Sequence, residues 1–203
     1  MTLSLPSRAL TLEPIDVNAK DLVRISRFSS GEPYFGRTAA NRFDDPRRIG
    51  GRRFGTCYAG LSLASAFAET VLHDEMPEDG HFWAPPEALT SRFVVRFDDQ
   101  RLKLANMTGA ALKRSGASAE LFTEVPYATP QQWALAVFRH REKFDGVLYV
   151  SRHAAPELAA VVFDRASTRL ANPQYIALPD YPGSLRVVTD FGVLASRRTW
   201  RAV

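Results

Sequence analysis

Lysine is scarce in this chain. Of 26 basic residues only Lys20, Lys103, Lys113 and Lys143 are lysines, which leaves 22 arginines against 22 acidic residues and a net charge of +4. So even a balance lacks the basic and aromatic interleaving of a nucleic-acid platform. Cysteine is scarcer still. Cys57 stands alone, excluding an internal disulfide and any zinc site built on several thiolates, and it fits a reducing compartment. No run approaches about 18 apolar residues, so no transmembrane helix is expected. The opening MTLSLPSRALTLEPID lacks a basic stretch followed by an apolar core, so no secretory signal is expected and the cytoplasm is the expected location. The four histidines, His73, His81, His140 and His153, never fall four apart, which leaves a helical metal pair unsupported. Phosphate-loop, dinucleotide-fingerprint, zinc-protease and nucleophile-elbow motifs are all absent.

What is present is a chain of 203 residues, 45% of them hydrophobic, sized for one domain with a sufficient core of its own. Residues 1–20 read as a lead-in. Leu22-Val23-Arg24-Ile25 reads as a short strand, and a long loop over 29–53 is rich in Gly, Asp, Pro and Arg. Phe54–Ala59 reads as a strand and Ser62 as the cap of a helix over 63–75, whose Leu63, Ala66, Phe67, Thr70 and Val71 form one stripe. Strands are expected at Ser91–Phe97, Arg101–Leu104, Val147–Val150, Leu158–Phe163 and, more weakly, Leu185–Val188. A second helix is expected to start at Thr129-Pro130 with threonine as its cap, placing Trp133, Ala136, Val137 and His140 on one face. Short strands outnumber helices, which argues for an α+β fold over a doubly wound sheet.

Six arginines crowd between Arg37 and Arg53: Arg37, Arg42, Arg47, Arg48, Arg52 and Arg53. Arginine suits bidentate phosphate recognition, although ordinary solvated charge accounts equally well for such a cluster. The remaining candidates are polar residues at strand ends and on the first helix: Arg24, Tyr58, Glu69 and Ser151. Each has a plainer explanation, respectively a surface ion pair, a half-buried strand tyrosine, a solvated helix face and a serine turn. Spacing does not choose between these readings.

Taken in order, Leu22-Val23-Arg24-Ile25, Asn41-Arg42-Phe43-Asp44-Asp45-Pro46, Phe54-Gly55-Thr56-Cys57-Tyr58-Ala59-Gly60 with Ala66-Phe67-Ala68-Glu69-Thr70, and Phe144-Asp145-Gly146-Val147-Leu148-Tyr149-Val150-Ser151-Arg152-His153 resemble the RES domain. That family is named for an arginine, a glutamate and a serine. Carried over by motif, these are Arg24, Glu69 and Ser151, with Arg27 competing for the arginine role. Tyr58 matches the family's aromatic strand residue and Arg42 the arginine of its loop. The resemblance divides the chain into a lead-in (1–20), the RES domain (21–170) and a C-terminal extension packed on the same domain (171–203).

The resemblance implies a compact α+β fold similar to ADP-ribosyltransferases, with short, mainly antiparallel strands and flanking helices. It also implies the toxin of a type II toxin–antitoxin system that consumes NAD as substrate, with no metal. In that reading Glu69 opposes an oxocarbenium-like charge, arginines bind phosphate, Tyr58 offers a ring to a base, and Ser151 hydrogen-bonds. A nucleophilic Ser151 assisted by His153 is the minor alternative. The implied partner is a cognate Xre-type helix-turn-helix antitoxin forming a hetero-oligomer with the toxin. Promoter DNA is reached only through that partner, and no membrane is involved. An acidic or carboxylate-ended antitoxin segment is expected to dock on the arginine-rich loop 29–53. Transfer of ADP-ribose to water or phosphate ranks first and transfer to a protein second. An RNA-cleaving or nucleic-acid-binding toxin comes next, and a plain interaction module last.

Overall fold

The computed structural model describes residues 5–6, 10–48 and 53–195. Strands β1 (Pro14–Asn18), β2 (Arg24–Ser26) and β3 (Thr56–Gly60) lead into helix α1 (Leu63–Thr70). After β4 (Phe82–Ala84) and α2 (Pro86–Thr90) come β5 (Phe93–Arg96) and β6 (Arg101–Met107). Helices α3 (Gly109–Arg114) and α4 (Ala128–Arg139) then cross over to β7 (Gly146–Val150) and β8 (Leu158–Phe163). Strand β9 (Gln174–Ala177), helix α5 (Ser184–Asp190) and β10 (Val193–Ala195) follow. The fold is α+β, as expected. Five strands pair in the order β1-β6-β7-β8-β3, three as β2-β5-β9, and β10 runs parallel to β4. Apart from β6–β7 and β4–β10, every pairing is antiparallel.

The central strands read as unbroken apolar runs because both faces of the five-stranded sheet are covered. Val147, Tyr149, Val161 and Phe163 face a core closed by Trp133, Phe43 and Phe54. The alternate residues, Leu148, Ala160, Val162 and Cys57, face a second core with Leu22, Leu102, Leu104 and Val95. A third core joins Val23, Ile25 and Val94 of the smaller sheet to Phe67, Val71 and Leu72. The sheets meet where Val23 and Gly60 exchange backbone hydrogen bonds of 2.8 Å. Gly60 is required at that junction: a Cβ there would lie 2.5 Å from the backbone nitrogen of Ala66.

Four local expectations need correction. Pro14–Asn18, inside the expected lead-in, is an edge strand in register with Arg101–Ala105, its Val17 buried in the second core. The first helix stops at Thr70, not 75; Val71 and Leu72 continue the apolar pattern from the turn that follows. The second helix begins at Ala128, and Thr129 donates instead to Glu124 Oε1 at 3.2 Å. Pro130 is harmless there because the first helical N–H groups have no partner inside the helix. Leu185–Val188 lies in helix α5, not a strand: Ser184, Val187, Val188 and Phe191 share one inward face while Leu185 is exposed. A run of four apolar-rich residues does not separate the two periods.

Candidate active site

Ser62 caps α1 as the sequence predicts, its Oγ accepting from Ser65 N–H at 3.0 Å. The helix starts where β3 ends, and this delivers Glu69 to a cleft of about 270 Å³ at the sheet junction. Arg24, Arg42, Tyr58 and Glu69 all line it. Ser151 is fully buried beneath, and its Oγ donates to Glu69 Oε1 at 2.6 Å. The same oxygen accepts from the backbone N–H groups of His153 and Ala154, each at 3.2 Å. Ser151 therefore clamps the carboxylate. With its hydroxyl committed to Glu69 and no imidazole bonded to it, the serine is not arranged as a nucleophile. Cys57 is no nucleophile either, since burial pushes its thiol up to about 11.

The two candidate arginines differ. Arg24 Nε donates to Glu32 Oε2 at 2.7 Å and Nη1 to the Tyr58 carbonyl at 2.8 Å. Arg42 Nη1 donates to the Glu124 carbonyl at 2.9 Å, and its guanidinium stacks 4.5 Å from the centroid of Tyr127. Arg42 Nη2, by contrast, is buried with no hydrogen-bond partner. Burial first, then the charge of Arg152, lowers the Arg42 pKa, while Glu69 acts in the opposite direction. A guanidinium held there without a full set of acceptors is suited to an anionic ligand.

Asp44, which the sequence reading passed over, organises this wall. It is fully buried, accepts from Thr56 Oγ1 at 2.6 Å and Tyr58 Oη at 3.2 Å, and ties down Asn41 through N–H and Nδ2 at 3.1 Å. The Tyr58 hydroxyl also accepts from Phe43 N–H at 2.9 Å. Burial and Asp44 push its pKa well above the usual phenol range, so it stays protonated. Tyr127, Tyr149, Phe122 and Arg152 also line the cleft. Tyr149 had a legible signal: it stands near the end of β7, two residues before Ser151, the spacing that returns a side chain to the same side of an extended segment.

The arginine-rich loop is not the free surface expected of a docking site. Arg47 wraps buried Asp45, with Nε 2.9 Å from both carboxylate oxygens, and Arg53 donates to the carbonyls of Arg47 and Arg37. Arg37 pairs with Asp164. Only Arg48 remains exposed without such a commitment among the described residues, and Arg52 lies outside them. Of the two buried carboxylates of the loop, Asp45 takes its cation from within it, while Asp44 is satisfied by neutral donors.

Three residues could hold a metal ion. Glu69, His73 and His153 place one ligand atom each within 4.8 Å of one another, and the two imidazole rings lie 4.7 Å apart. The sequence reading, confined to pairs of histidines, did not assemble this group. Burial first, then the positive charges of Arg152 and Arg42, disfavour charge on His153 against the opposite pull of Glu69, and Arg152 Nε already donates to its Nε2 at 2.8 Å. Both features oppose a cation at this point.

Taken together, the two main sheets and the glutamate cleft at their junction define an α+β protein with one polar site where its sheets meet. The chain belongs to the RES domain family, whose model matches residues 21–182 and thus takes in β9. Among solved structures it is similar to a chain in the crystal structure of the M. tuberculosis MbcT–MbcA toxin–antitoxin complex. The TM-score is 0.51 at 15% sequence identity, covering 80% of this chain and 84% of that one. No curated protein matches. No helix among the described residues is long and apolar enough to cross a membrane.

Proposed function

We propose that this protein is the toxin of a toxin–antitoxin pair and that it cleaves NAD at the nicotinamide–ribose bond. The observation that carries the reading is the Glu69 carboxylate, fixed by Ser151 at 2.6 Å in a cleft that also holds the unsatisfied Arg42 Nη2. The glycosidic C–N bond breaks with its electron pair leaving on nicotinamide, and the ribose carbon becomes oxocarbenium-like. A carboxylate locked in place opposes that charge without having to reorganise. Arg42 holds a phosphate of the ADP-ribosyl half by charge-assisted hydrogen bonds. Water or inorganic phosphate then forms the new C–O bond and releases its proton to solvent. Growth arrest follows from loss of NAD, and a helix-turn-helix antitoxin of the Xre type silences the cleft in a cytoplasmic complex. The likeness to a chain of a toxin–antitoxin complex and the family membership support the pairing.

The test is to incubate the purified protein with NAD, with and without phosphate, and to resolve the products by mass. Free nicotinamide with ADP-ribose, or with its phosphate ester when phosphate is present, is the expected result. Intact NAD would overturn the reading. A mass gain on an added protein would instead select a protein acceptor.

A further inference from the structure

The cleft wall that carries Arg42 is not held by its own loop alone. Ala40, Asn41 and Arg42 line the cleft from a segment whose Ala39 has a positive φ of 63°. A residue with a Cβ takes that left-handed conformation at a cost, so the segment keeps it only where the surroundings fix the chain. From within the loop the fixed point is Asp44, which accepts from Thr38 Oγ1 at 3.3 Å and from Asn41 N–H and Nδ2 at 3.1 Å each. From outside the loop it is a single side chain of α4. Gln131 Nε2 donates to the Ala39 carbonyl and to the Asn41 carbonyl, both at 2.9 Å.

Both hydrogens of the Gln131 amide are used on these two carbonyls, one on either side of Ala40. The Asn41 carbonyl also accepts from Asp44 N–H at 3.2 Å, which ties the glutamine into the network around the buried aspartate. Gln131 stands in the first turn of α4, one turn after Tyr127, whose ring stacks on the Arg42 guanidinium. Just before that lies Glu124, whose carbonyl accepts from Arg42 Nη1 at 2.9 Å. The stretch 124–131 thus grips Arg42 twice, at its guanidinium and at the backbone that leads into it. Gln131 itself stands outside the cleft lining.

We propose that Gln131 is the positioning residue of Arg42: its two hydrogen bonds set the backbone from which the unpartnered Nη2 meets an anionic group of the ligand. The assignment rests on the NAD reading of the cleft. Guanidinium–phosphate contacts are directional, and a misplacement of about 1 Å removes much of their effect. Without the amide, Ala39 is free to relax out of its left-handed conformation and to carry Arg42 with it. Gln131 acts only through Arg42, so its loss weakens ligand binding and leaves the Glu69–Ser151 pair as it was. Once Arg42 is gone, Gln131 has nothing left to position.

The full-length protein is compared with Gln131→Met, Gln131→Lys, Arg42→Gln and the double variant Gln131→Met with Arg42→Gln. Methionine and lysine match glutamine in helix propensity, so α4 is kept. Gln131→Met is expected to raise KM for NAD by about three- to tenfold with kcat within about twofold, the scale of one or two lost hydrogen bonds. Gln131→Lys restores a donor of similar reach and should recover part of that loss. In the Arg42→Gln background, adding Gln131→Met should change KM by less than about twofold, because the two residues act as one unit. An equal rise in KM with and without Arg42 would overturn the proposal, as would a lowered thermal midpoint in Gln131→Met with KM unmoved. An unmodified protein that leaves NAD intact overturns the function alone, and calorimetric titration with inorganic pyrophosphate then decides the role of Gln131. A loss of pyrophosphate affinity of about three- to tenfold in Gln131→Met upholds it. Unchanged pyrophosphate affinity, or no binding by the unmodified protein, overturns it.

Discussion

The strand that carries Arg24 and the loop that carries Arg42 both reach the cleft, yet they spend their arginines differently. On the strand side the guanidinium is consumed within the chain, by Glu32 and the Tyr58 carbonyl. On the loop side one buried nitrogen is left over. An arginine satisfied by its own fold is holding that fold together, whereas one kept partly unsatisfied at a cavity is held for something else. The motif alone assigns the family's arginine to Arg24. The geometry leaves Arg42 with a buried nitrogen that has no partner and Arg24 committed to Glu32 and the Tyr58 carbonyl at the wall of the same cleft.

The largest expected effect tests that division. Arg24→Ala strands the Glu32 carboxylate, which is only 4% exposed, and should cost about 3–5 kcal/mol of stability in urea unfolding. Arg42→Ala should cost less stability but raise KM for NAD by about ten- to a hundredfold. If Arg24→Ala leaves the urea midpoint untouched while Arg42→Ala lowers it and spares KM, the roles are reversed.

Next comes the charge itself. Glu69→Gln keeps the shape and the acceptor for Ser151 but removes the charge opposing the oxocarbenium, so kcat should fall about 10²–10³-fold with the thermal midpoint held. Ser151→Ala should fall less, since it removes only the group that fixes the carboxylate. Equal turnover by folded Glu69→Gln and unmodified protein would take Glu69 out of the chemistry.

The same contrast marks what was legible in the sequence. Ser62, the stripe of α1 and the Leu158–Phe163 strand obey local rules of capping and period, and the fold follows them. The meeting of Glu69, Arg42 and Tyr58 is non-local, and family order, not spacing, brought those residues onto one list. Asp44 was invisible because a buried aspartate in a polar loop looks like any turn residue until its five donors are seen around it. The loop arginines read as surface charge because their partners, Asp45 and Asp164, lie next door in one case and more than a hundred residues away in the other.

The loop side also predicts a pH dependence. Burial raises the Asp45 pKa, but the Arg47 guanidinium, with the N–H groups of Arg47 and Phe54, outweighs it and holds the carboxyl below its ordinary 3.8. A depressed carboxylate contributes stability that is fully present above its unfolded pKa and is lost as pH falls through the folded one. The unmodified protein should therefore keep this contribution down to about pH 4 and lose it below that. Arg47→Ala removes the main opposing group and leaves burial countered only by the two backbone N–H bonds, so the acid limb should move to higher pH. The neutral-pH loss should be about 1.5–3 kcal/mol, the usual worth of hydrogen bonds to a charged group. Unfolding followed by circular dichroism between pH 3 and 6 reads both. An unmoved acid limb in Arg47→Ala would show that the loop is held by something other than this pair.

The smallest effect separates the position of Glu69 from its charge. Ser62 does two things at the start of α1: its Oγ accepts from Ser65 N–H at 3.0 Å and donates to Glu157 Oε2 at 2.6 Å. Ser62→Ala removes both and should lower stability by about 1 kcal/mol, the usual cost of losing a cap. Ser62→Thr keeps both and should be near neutral. Ser62→Asp keeps an acceptor for the helix but sets a carboxylate beside Glu157, so it should fall below threonine in stability despite being as good a cap. In all three, Glu69, seven residues beyond the cap, is still clamped from the other side by Ser151, and the rate of NAD cleavage by the folded fraction should stay close to that of the unmodified protein. A loss of turnover in Ser62→Ala as large as in Glu69→Gln, with the fold intact, would mean that the helix start, and not the Ser151 clamp, sets where the carboxylate stands.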